Sequence, residues 1–185
     1  MLHMEQKDYK LEIVNQLMKK NSHVRALSKE VKTNHMTVSR KINALLAENA
    51  VDFRKEGKNK VFFLKKTDEA RAYVIMSENY KLLQLLTKYS NLRGLVNKIR
   101  KTGGIKVAVL FGSYAKGSAG PNSDIDIYID TKSRGLKKEL EALDSKLSVK
   151  IGPYDKGSLL IKEIEKNHII IKGAELFYEK SKFFD

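Results

Sequence analysis

The sequence contains no cysteine, which excludes disulfide bonds and thiolate metal sites. It has no apolar run near the ~20 residues that a membrane span requires. Its opening segment, MLHMEQKDYK, lacks the apolar core of a signal peptide. Low-complexity segments and internal repeats are also absent. These absences predict a cytoplasmic protein with no membrane partner.

What the sequence has in excess is positive charge. Its 185 residues carry a formal net charge of +14. Residues 1–66 contribute +8, from 15 basic and 7 acidic side chains, whereas residues 103–185 contribute only +2. A basic N-terminal third indicates a polyanionic partner. The alternative is a lysine-rich surface that only keeps the protein soluble.

The N-terminal third has the element order of a DNA-binding fold. Apolar residues recur at helical spacing over 5–20, 24–31 and 35–48, and Ser22 is the expected N-cap of the second helix. Two short strands, 51–55 and 60–64, follow as a glycine-containing hairpin. This order resembles the winged helix-turn-helix family of DNA-binding domains.

The resemblance implies DNA as a partner, with a recognition helix that runs from Thr37 through Leu46. Cationic and hydrogen-bonding side chains there and on the wing can reach phosphates or base edges. The residues predicted to contact DNA are Thr37, Ser39, Arg40, Lys41, Lys58 and Lys60. The alternative is a winged helix used for protein contacts, with solvated lysines.

A strong helical pattern follows over 67–90, with an apolar stripe too wide for a solvent-facing helix. We expect this helix to pack between two domains or against its copy in a homodimer. Twofold symmetry would suit a palindromic DNA site. The predicted division is therefore a domain at 1–66, a linker or dimerisation helix at 67–90, and a second domain at 91–185.

The second domain centres on the stretch 107–130. Val107 to Phe111 is a continuous apolar run, typical of a buried strand. A second strand, 124–130, places Asp124 and Asp126 on one face and isoleucines on the other. The two carboxylates lie roughly 7 Å apart along the strand. A divalent cation held by both is the simplest reason for such crowding, and hard oxygen ligands suit Mg²⁺.

The Gly-Ser pair, ten intervening residues and Asp-x-Asp resemble the signature of the DNA polymerase beta-like nucleotidyltransferase superfamily. Within it, the domain looks most like the minimal nucleotidyltransferases, several of which are antitoxins of toxin–antitoxin pairs. The matching residues are Gly112, Ser113, Ala115, Gly117, Ser123, Asp124, Ile125 and Asp126. A Gly-Ser pair after a strand, taken alone, is usually just a turn.

The resemblance implies an α+β protein: an N-terminal winged helix-turn-helix and a C-terminal nucleotidyltransferase-fold mixed sheet flanked by helices. It implies Mg²⁺-dependent transfer from a nucleoside triphosphate, with ATP the expected donor, to a protein or small-molecule hydroxyl. A toxin protein is the expected partner if this chain is an antitoxin. Asp124 and Asp126 would be the catalytic metal ligands, and Gly112, Ser113 and Ser123 would bind the nucleotide.

One departure from the family pattern bears on activity. The resemblance requires a third carboxylate on the next strand, LSVKIGPYD, where the inward positions are Ser148, Lys150 and Gly152. Lys150 is predicted to occupy the expected carboxylate position, and Asp155 at the strand end is a substitute. The alternative function is a non-catalytic, DNA-binding transcriptional regulator whose degenerate domain only binds nucleotide or a partner protein.

Overall fold

The computed structural model describes residues 7–185. Packing divides the chain into two compact units, with the division between Ser77 and Glu78. No helix in the described range is both long and apolar enough to cross a bilayer.

The first unit contains three helices and a hairpin, followed by the first half of a long helix. These elements are α1 (Tyr9–Leu17), α2 (Val24–Glu30), α3 (His35–Ala47), β1 (Val51–Glu56), β2 (Asn59–Leu64) and α4 (Asp68–Lys88). Ile13, Leu27, Val38 and Leu45 bury the inner faces of the helices. The strands β1 and β2 pair antiparallel. This arrangement is a winged helix-turn-helix, which confirms the predicted fold.

Two helix starts differ from the sequence pattern. The predicted first helix begins at Glu5, which lies outside the described residues; α1 begins at Tyr9. Ser22 as N-cap of α2 is wrong, because Nδ1 of His23 accepts the backbone N–H of Ala26 at 3.1 Å. Ser22 instead exchanges two backbone hydrogen bonds with Phe62 in β2. That pairing keeps Ser22 extended, so the cap moves one residue along the chain.

The second unit is built on a four-stranded mixed sheet. Its elements after α4 are a 3-10 turn (Ser90–Leu92), α5 (Arg93–Lys101), β3 (Ala108–Phe111), α6 (Gly112–Ala115), β4 (Ile125–Asp130), α7 (Arg134–Glu141), β5 (Leu147–Gly152), α8 (Leu159–Lys166), β6 (Ile169–Lys172) and α9 (Ala174–Lys180). The strand order is β5-β4-β3-β6. β3 is antiparallel to both neighbours, whereas β4 and β5 are parallel. The predicted α+β fold with a mixed sheet is therefore confirmed.

Both faces of this sheet are covered. The isoleucines of β4 lie in a core with side chains from α5, α7 and the second half of α4, such as Ile99, Leu140 and Leu85. On the opposite face Val109, Tyr128 and Ile170 are also buried. A strand buried on both faces has no room for an uncompensated charge in its middle. Charged residues of β4 therefore belong at its two ends.

The division of packing falls inside α4 rather than at either end of the predicted segment 67–90. Ser77 donates from its hydroxyl to the backbone oxygen of Leu11 and to Oδ1 of Asn15, both in the first unit. Glu78, the next residue, bonds to partners in the second unit. The division into segments 1–66, 67–90 and 91–185 remains a prediction.

Glu78 forms the centre of a buried polar cluster in the second unit. Its side chain is 1% exposed, and Oε1 accepts hydrogen bonds from Lys81 at 2.8 Å and from the Tyr178 hydroxyl. Nε2 of His168 lies 3.4 Å from the same oxygen. Burial alone would raise the pKa of Glu78, but the charge of Lys81 and the contact with His168 lower it to about 2. The carboxylate is therefore ionised and paired inside the domain.

Candidate functional site

The charged residues of β4 lie at its two ends, as the covered sheet requires. Asp130 at the C-terminal end forms an ion pair with Lys180 at 2.7 Å. Tyr128 is buried, and its hydroxyl donates to the backbone oxygen of Gly152 at 2.9 Å. Asp126 is half-buried and Asp124, just before the strand, is exposed. The two carboxylates available for a ligand are therefore Asp124 and Asp126, whereas Asp130 has a structural partner.

The turn after β3 lies directly against Asp126. Phe111, the last residue of β3, is the register partner of Asp126. The next residue, Gly112, has φ +69°, and a Cβ built on it would overlap Oδ2 of Asp126 and lie 3.2 Å from its Cγ. Only glycine fits this close approach with this backbone conformation. The predicted phosphate turn and the predicted metal-binding carboxylate are thus neighbours.

The loop that joins α6 to β4 is held by its own hydrogen bonds. The backbone oxygen of Ser113 accepts from the backbone N–H of Ser118 at 3.0 Å. The hydroxyl of Ser123, a predicted nucleotide ligand, accepts from the backbone N–H of Gly120 at 2.9 Å. Ser123 therefore shapes the loop in this state, and its contact with nucleotide remains a prediction.

Two amines on neighbouring elements fasten the same loop. Lys88 at the end of α4 donates to the oxygen of Gly117 at 2.7 Å, and Lys146 before β5 donates to the oxygen of Pro121 at 2.6 Å. Sequence reasoning did not single out either lysine, because each lies far along the chain from the loop. Both amines are thus bonded to the loop that connects the predicted phosphate turn to β4.

The electrostatics of Asp126 reflect a crowded site. Burial raises the pKa of its carboxyl, and the neighbouring charge of Asp124 raises it further. A hydrogen bond from the Ser148 hydroxyl and the charge of Lys150 act in the opposite direction, and Glu163 adds to the rise. Glu163 of α8 is itself paired with Lys116 at 3.3 Å. The carboxylates are thus concentrated at one end of the sheet, where a cation would relieve their repulsion.

The strand register shows which residue of β5 lies beside Asp126. In the parallel pair of β4 and β5, Asp126 is level with Ser148, and Lys150 is level with Tyr128. Asp155 lies beyond β5, where its carboxylate accepts the backbone N–H of Gly157 at 2.8 Å. The residue beside Asp126 is therefore a serine, and Lys150 lies one side-chain step further along the strand.

The donor set fits Mg²⁺ when a substrate completes the coordination. Among residues 7–185 there is no group of three or more His, Cys, Asp or Glu side chains that could hold a metal ion. Mg²⁺, however, is commonly bound through one or two carboxylates together with substrate phosphates, and not by a cage made only of protein atoms. Asp124 and Asp126 would supply the two carboxylates, and Asp126 lies beside the turn at Gly112 that is predicted to bind phosphate.

The family comparison agrees with this geometry. Residues 93–183 match the family model described as Polymerase beta, Nucleotidyltransferase. The second unit carries a nucleotidyltransferase-family domain. The match covers β3, the Gly112 turn, β4 and β5, so the resemblance stated from the motif is confirmed. None of the curated proteins matches the chain.

N-terminal to the nucleotidyltransferase domain, the winged helix presents a basic groove. The groove has a volume of about 560 Å³ and lies between the start of α2, one face of α3 and the wing. Ser39 lines it together with Lys58, Lys60 and His35. The groove is also lined by Asn43, His23 and Arg25, which were not among the residues predicted to contact DNA.

The other predicted DNA contacts lie apart from this groove. Arg40 is exposed on α3, whereas Thr37 and Lys41 are half-buried. Lys60, by contrast, lines the groove, and its Nζ lies 4.2 Å from the centre of the Phe53 ring on the wing. The structure therefore brings three of the six predicted residues together, and a DNA contact for any of them remains a prediction.

Two solved structures are similar to this part of the chain. One is the homodimeric winged helix-turn-helix DNA-binding domain of a Mycobacterium bovis protein, at 24% identity over 38% of this chain and 65% of that one, with a TM-score of 0.35. The other is the adhesin competence repressor of Streptococcus pyogenes, at 16% identity over 52% of this chain and 78% of that one, with a TM-score of 0.37. The chain thus spans slightly less than two thirds of the first structure. The winged-helix assignment itself rests on the order of α1–α3 and the hairpin β1–β2.

Proposed function

We propose that the C-terminal domain binds a nucleoside triphosphate with Mg²⁺ and transfers its nucleotidyl group to a hydroxyl, while the winged helix binds DNA. One observation carries the nucleotide half of the proposal. Gly112 has φ +69°, which favours glycine, and it lies so close to Asp126 that an added Cβ would overlap Oδ2 of the carboxylate. A turn that exposes backbone N–H groups beside two carboxylates suits a triphosphate whose charge is shared with a metal ion.

Each residue of the site has a defined task in this proposal. The backbone N–H groups of Gly112 and Ser113 hold phosphate oxygens. Asp124 and Asp126 hold Mg²⁺, which neutralises charge on the phosphates when it is bound. The acceptor oxygen forms a bond to the α-phosphorus, the bond from that phosphorus to pyrophosphate breaks, and the hydroxyl proton passes to solvent. Because the protein mainly positions and neutralises these groups, small displacements in the turn should have large effects.

The donor and acceptor follow from the family resemblance. ATP is the proposed donor, so the transferred group is AMP. The proposed acceptor is a hydroxyl on a protein, and a tyrosine of a toxin is the form suggested by the likeness to antitoxins. In that arrangement the winged helix would bind operator DNA in a cytoplasmic regulatory protein.

A second candidate is a regulator that binds nucleotide without transferring it. The observation that favours it is Ser148, which stands level with Asp126 where a third carboxylate would complete a two-metal site. A hydroxyl can bond to Asp126 but adds no charge for a second cation. Nucleotide binding is common to both candidates, and only the rate of transfer separates them.

The decisive experiment measures binding and transfer separately. Calorimetry of the full chain with ATP and Mg²⁺ should show binding that is lost in the double variant Asp124→Asn with Asp126→Asn. The matched control is Asp130→Asn, on the same face of β4 but paired with Lys180, and it should bind normally. No heat from the folded wild-type protein, with or without an acceptor, would contradict the proposal. Transfer of label from α-labelled ATP then assigns the enzyme or the sensor.

DNA binding is proposed from the +8 charge of residues 1–66 and from the basic groove at the wing. Binding by the full chain should weaken as salt rises, with a slope of about one for each phosphate contact. Replacing Lys58 by alanine should reduce that slope by about one unit for all sequences. An unchanged slope in this variant would remove the wing from the interface.

A homodimer is proposed through α4. Met76 and Leu83 are 51% and 57% exposed, and they lie seven residues apart on one face of this helix. Large apolar side chains repeated on one exposed helix face are typical of an interface with another helix. Two winged helices related by a twofold axis would read two half-sites of a palindrome.

A further inference from the structure

The recognition helix α3 carries a stripe of exposed residues, most of which were not among the DNA contacts predicted from charge and motif. Its exposed residues include Met36, Arg40, Asn43 and Ala47. These positions follow the spacing i, i+4, i+7 and i+11, so they lie on one face of the helix. Of the six residues predicted from sequence, only Arg40 lies on this stripe.

Met36 is the most exposed large apolar residue on the winged helix. Its side chain is 83% exposed, one residue after the start of α3, whose N-terminus is capped by the Asn34 side chain. The Met36 side chain takes no part in the helix cap made by Asn34. It also lies outside the core, to which α3 contributes Val38, Ile42 and Leu45. An exposed methionine at the leading end of a recognition helix is suited to an apolar contact with a ligand.

Asn43 adds a polar group of defined chemistry to the same stripe. It is exposed, and it also lines the basic groove with Lys58 and Lys60. Within the part of the chain that the structure describes, its side chain is not engaged in the helix caps or the hairpin. A carboxamide can bond to adenine through N6 and N7, an arginine to guanine, and an apolar side chain can contact the methyl group of thymine.

We propose that Met36, Arg40 and Asn43 form the base-reading face of the protein, with Met36 against a thymine methyl group and Asn43 against an adenine. This inference rests on the proposed DNA binding and states what that binding recognises. Met36 and Asn43 are seven positions apart, which corresponds to about 10 Å along the helix axis. That length matches about three base-pair steps, so the thymine and the adenine are expected about three base pairs apart in each half-site.

The proposal is tested with modified DNA. The full chain is first used to select duplexes from a random-sequence pool, and the tightest one is then the probe. In this duplex, each thymine that lies about three base pairs from an adenine is replaced in turn by deoxyuridine, which removes only the methyl group. At the thymine that contacts Met36, the replacement should weaken binding by about fourfold, which corresponds to the transfer free energy of one buried methylene-sized group. Replacing the adenine by 7-deazaadenine removes only the N7 acceptor and should weaken binding by fivefold or more.

Protein variants assign each effect to its residue. Met36→Ala should bind the thymine and deoxyuridine probes equally, whereas Met36→Leu should still distinguish them. Leu159→Ala, at an exposed apolar position of α8 outside the winged helix and outside the proposed dimer face, is the control and should behave as wild type. Asn43→Ala should lose its response to 7-deazaadenine while it keeps its response to deoxyuridine.

The outcomes separate this inference from the proposal on which it rests. Enrichment of no sequence, with no salt-sensitive binding, overturns the DNA-binding proposal and the inference with it. A selected duplex that is bound tightly but shows no deoxyuridine effect, or an effect that persists in Met36→Ala, overturns the inference alone. Thymine and adenine effects that disappear in their matched variants support both.

Discussion

Replacing Glu78 by glutamine tests whether the second unit is held together by a buried charge. The substitution keeps the shape of the side chain and removes its charge. Glu78 is 1% exposed and is bonded to Lys81, on the same helix, and to Tyr178, 100 residues further along the chain. Since α4 and α9 meet through this carboxylate, the variant should weaken the attachment of α4 to the rest of the domain.

The pKa of Glu78 sets the size of the effect. It lies at about 2 in the folded protein, below the ordinary value of 4.5. A difference of about 2.5 pH units corresponds to about 3 kcal/mol of stability from ionisation at neutral pH. Because the folded pKa is depressed, this stability is fully present above pH 4.5 and is lost as the pH falls towards 2. At pH values of about 3.5 the contribution should shrink to about 2 kcal/mol.

The assay is urea unfolding of the full chain at several pH values, followed by hydrogen exchange in β3 and β6, since two units need not unfold together. At neutral pH the variant should be less stable than wild type by about 3 kcal/mol, and the difference should narrow by about 1 kcal/mol near pH 3.5. Glu179→Gln, an exposed position in α9, is the control and should change stability by less than about 0.5 kcal/mol. A Glu78→Gln variant as stable as wild type at neutral pH, or a difference independent of pH, would refute the reasoning.

Three further predictions concern the site and the dimer. Gly112→Ala should lower ATP affinity by at least about tenfold in calorimetry, because the positive φ and the overlap with Asp126 force the turn to move; unchanged affinity would show that the turn does not hold phosphate. Ser148→Asp should raise the rate of label transfer from ATP by about tenfold, since a third carboxylate level with Asp126 supports a second metal ion; a wild-type protein that transfers label and is not accelerated by the substitution would mean that two carboxylates suffice. Leu83→Glu should convert a dimer into a monomer at roughly ten micromolar in analytical ultracentrifugation, with Met76 left in place; wild-type protein that is already a monomer there would remove α4 as the interface.

Most of the fold was predictable because local signals agree with the tertiary structure. Helical periodicity located α1–α4, and the alternation in β4 identified the face on which its isoleucines enter the core. The opposite face carries the predicted site residues. The candidate nucleotide site could also be predicted from the sequence, since Gly112, Asp124 and Asp126 are close together in the chain. Their proximity in space follows from one antiparallel pairing of β3 with β4.

The features that sequence reasoning missed all depend on contacts distant in the chain. The cap of α2 moved to His23 because Ser22 pairs with Phe62, 40 residues further along the chain. The anchoring of the loop by Lys88 and Lys146 depends on where α4 and β5 come to lie. Which face of α3 is exposed also depends on its neighbours, and for this reason Met36 and Asn43 were not selected by charge alone.

The register of two parallel strands is a further property that the alternation of residues does not reveal. Alternation correctly places Ser148 and Lys150 on the same face of the sheet as Asp126. It does not show which of the two lies beside that carboxylate. In the structure, the register of β4 and β5 places Ser148 there. A serine retains a hydrogen bond to Asp126 while it leaves the second cation without a charged ligand. The proposed nucleotide binding and the proposed nucleotidyl transfer can therefore be separated by experiment: binding is expected to depend on Gly112, Asp124 and Asp126, and transfer on a source for the charge that Ser148 lacks.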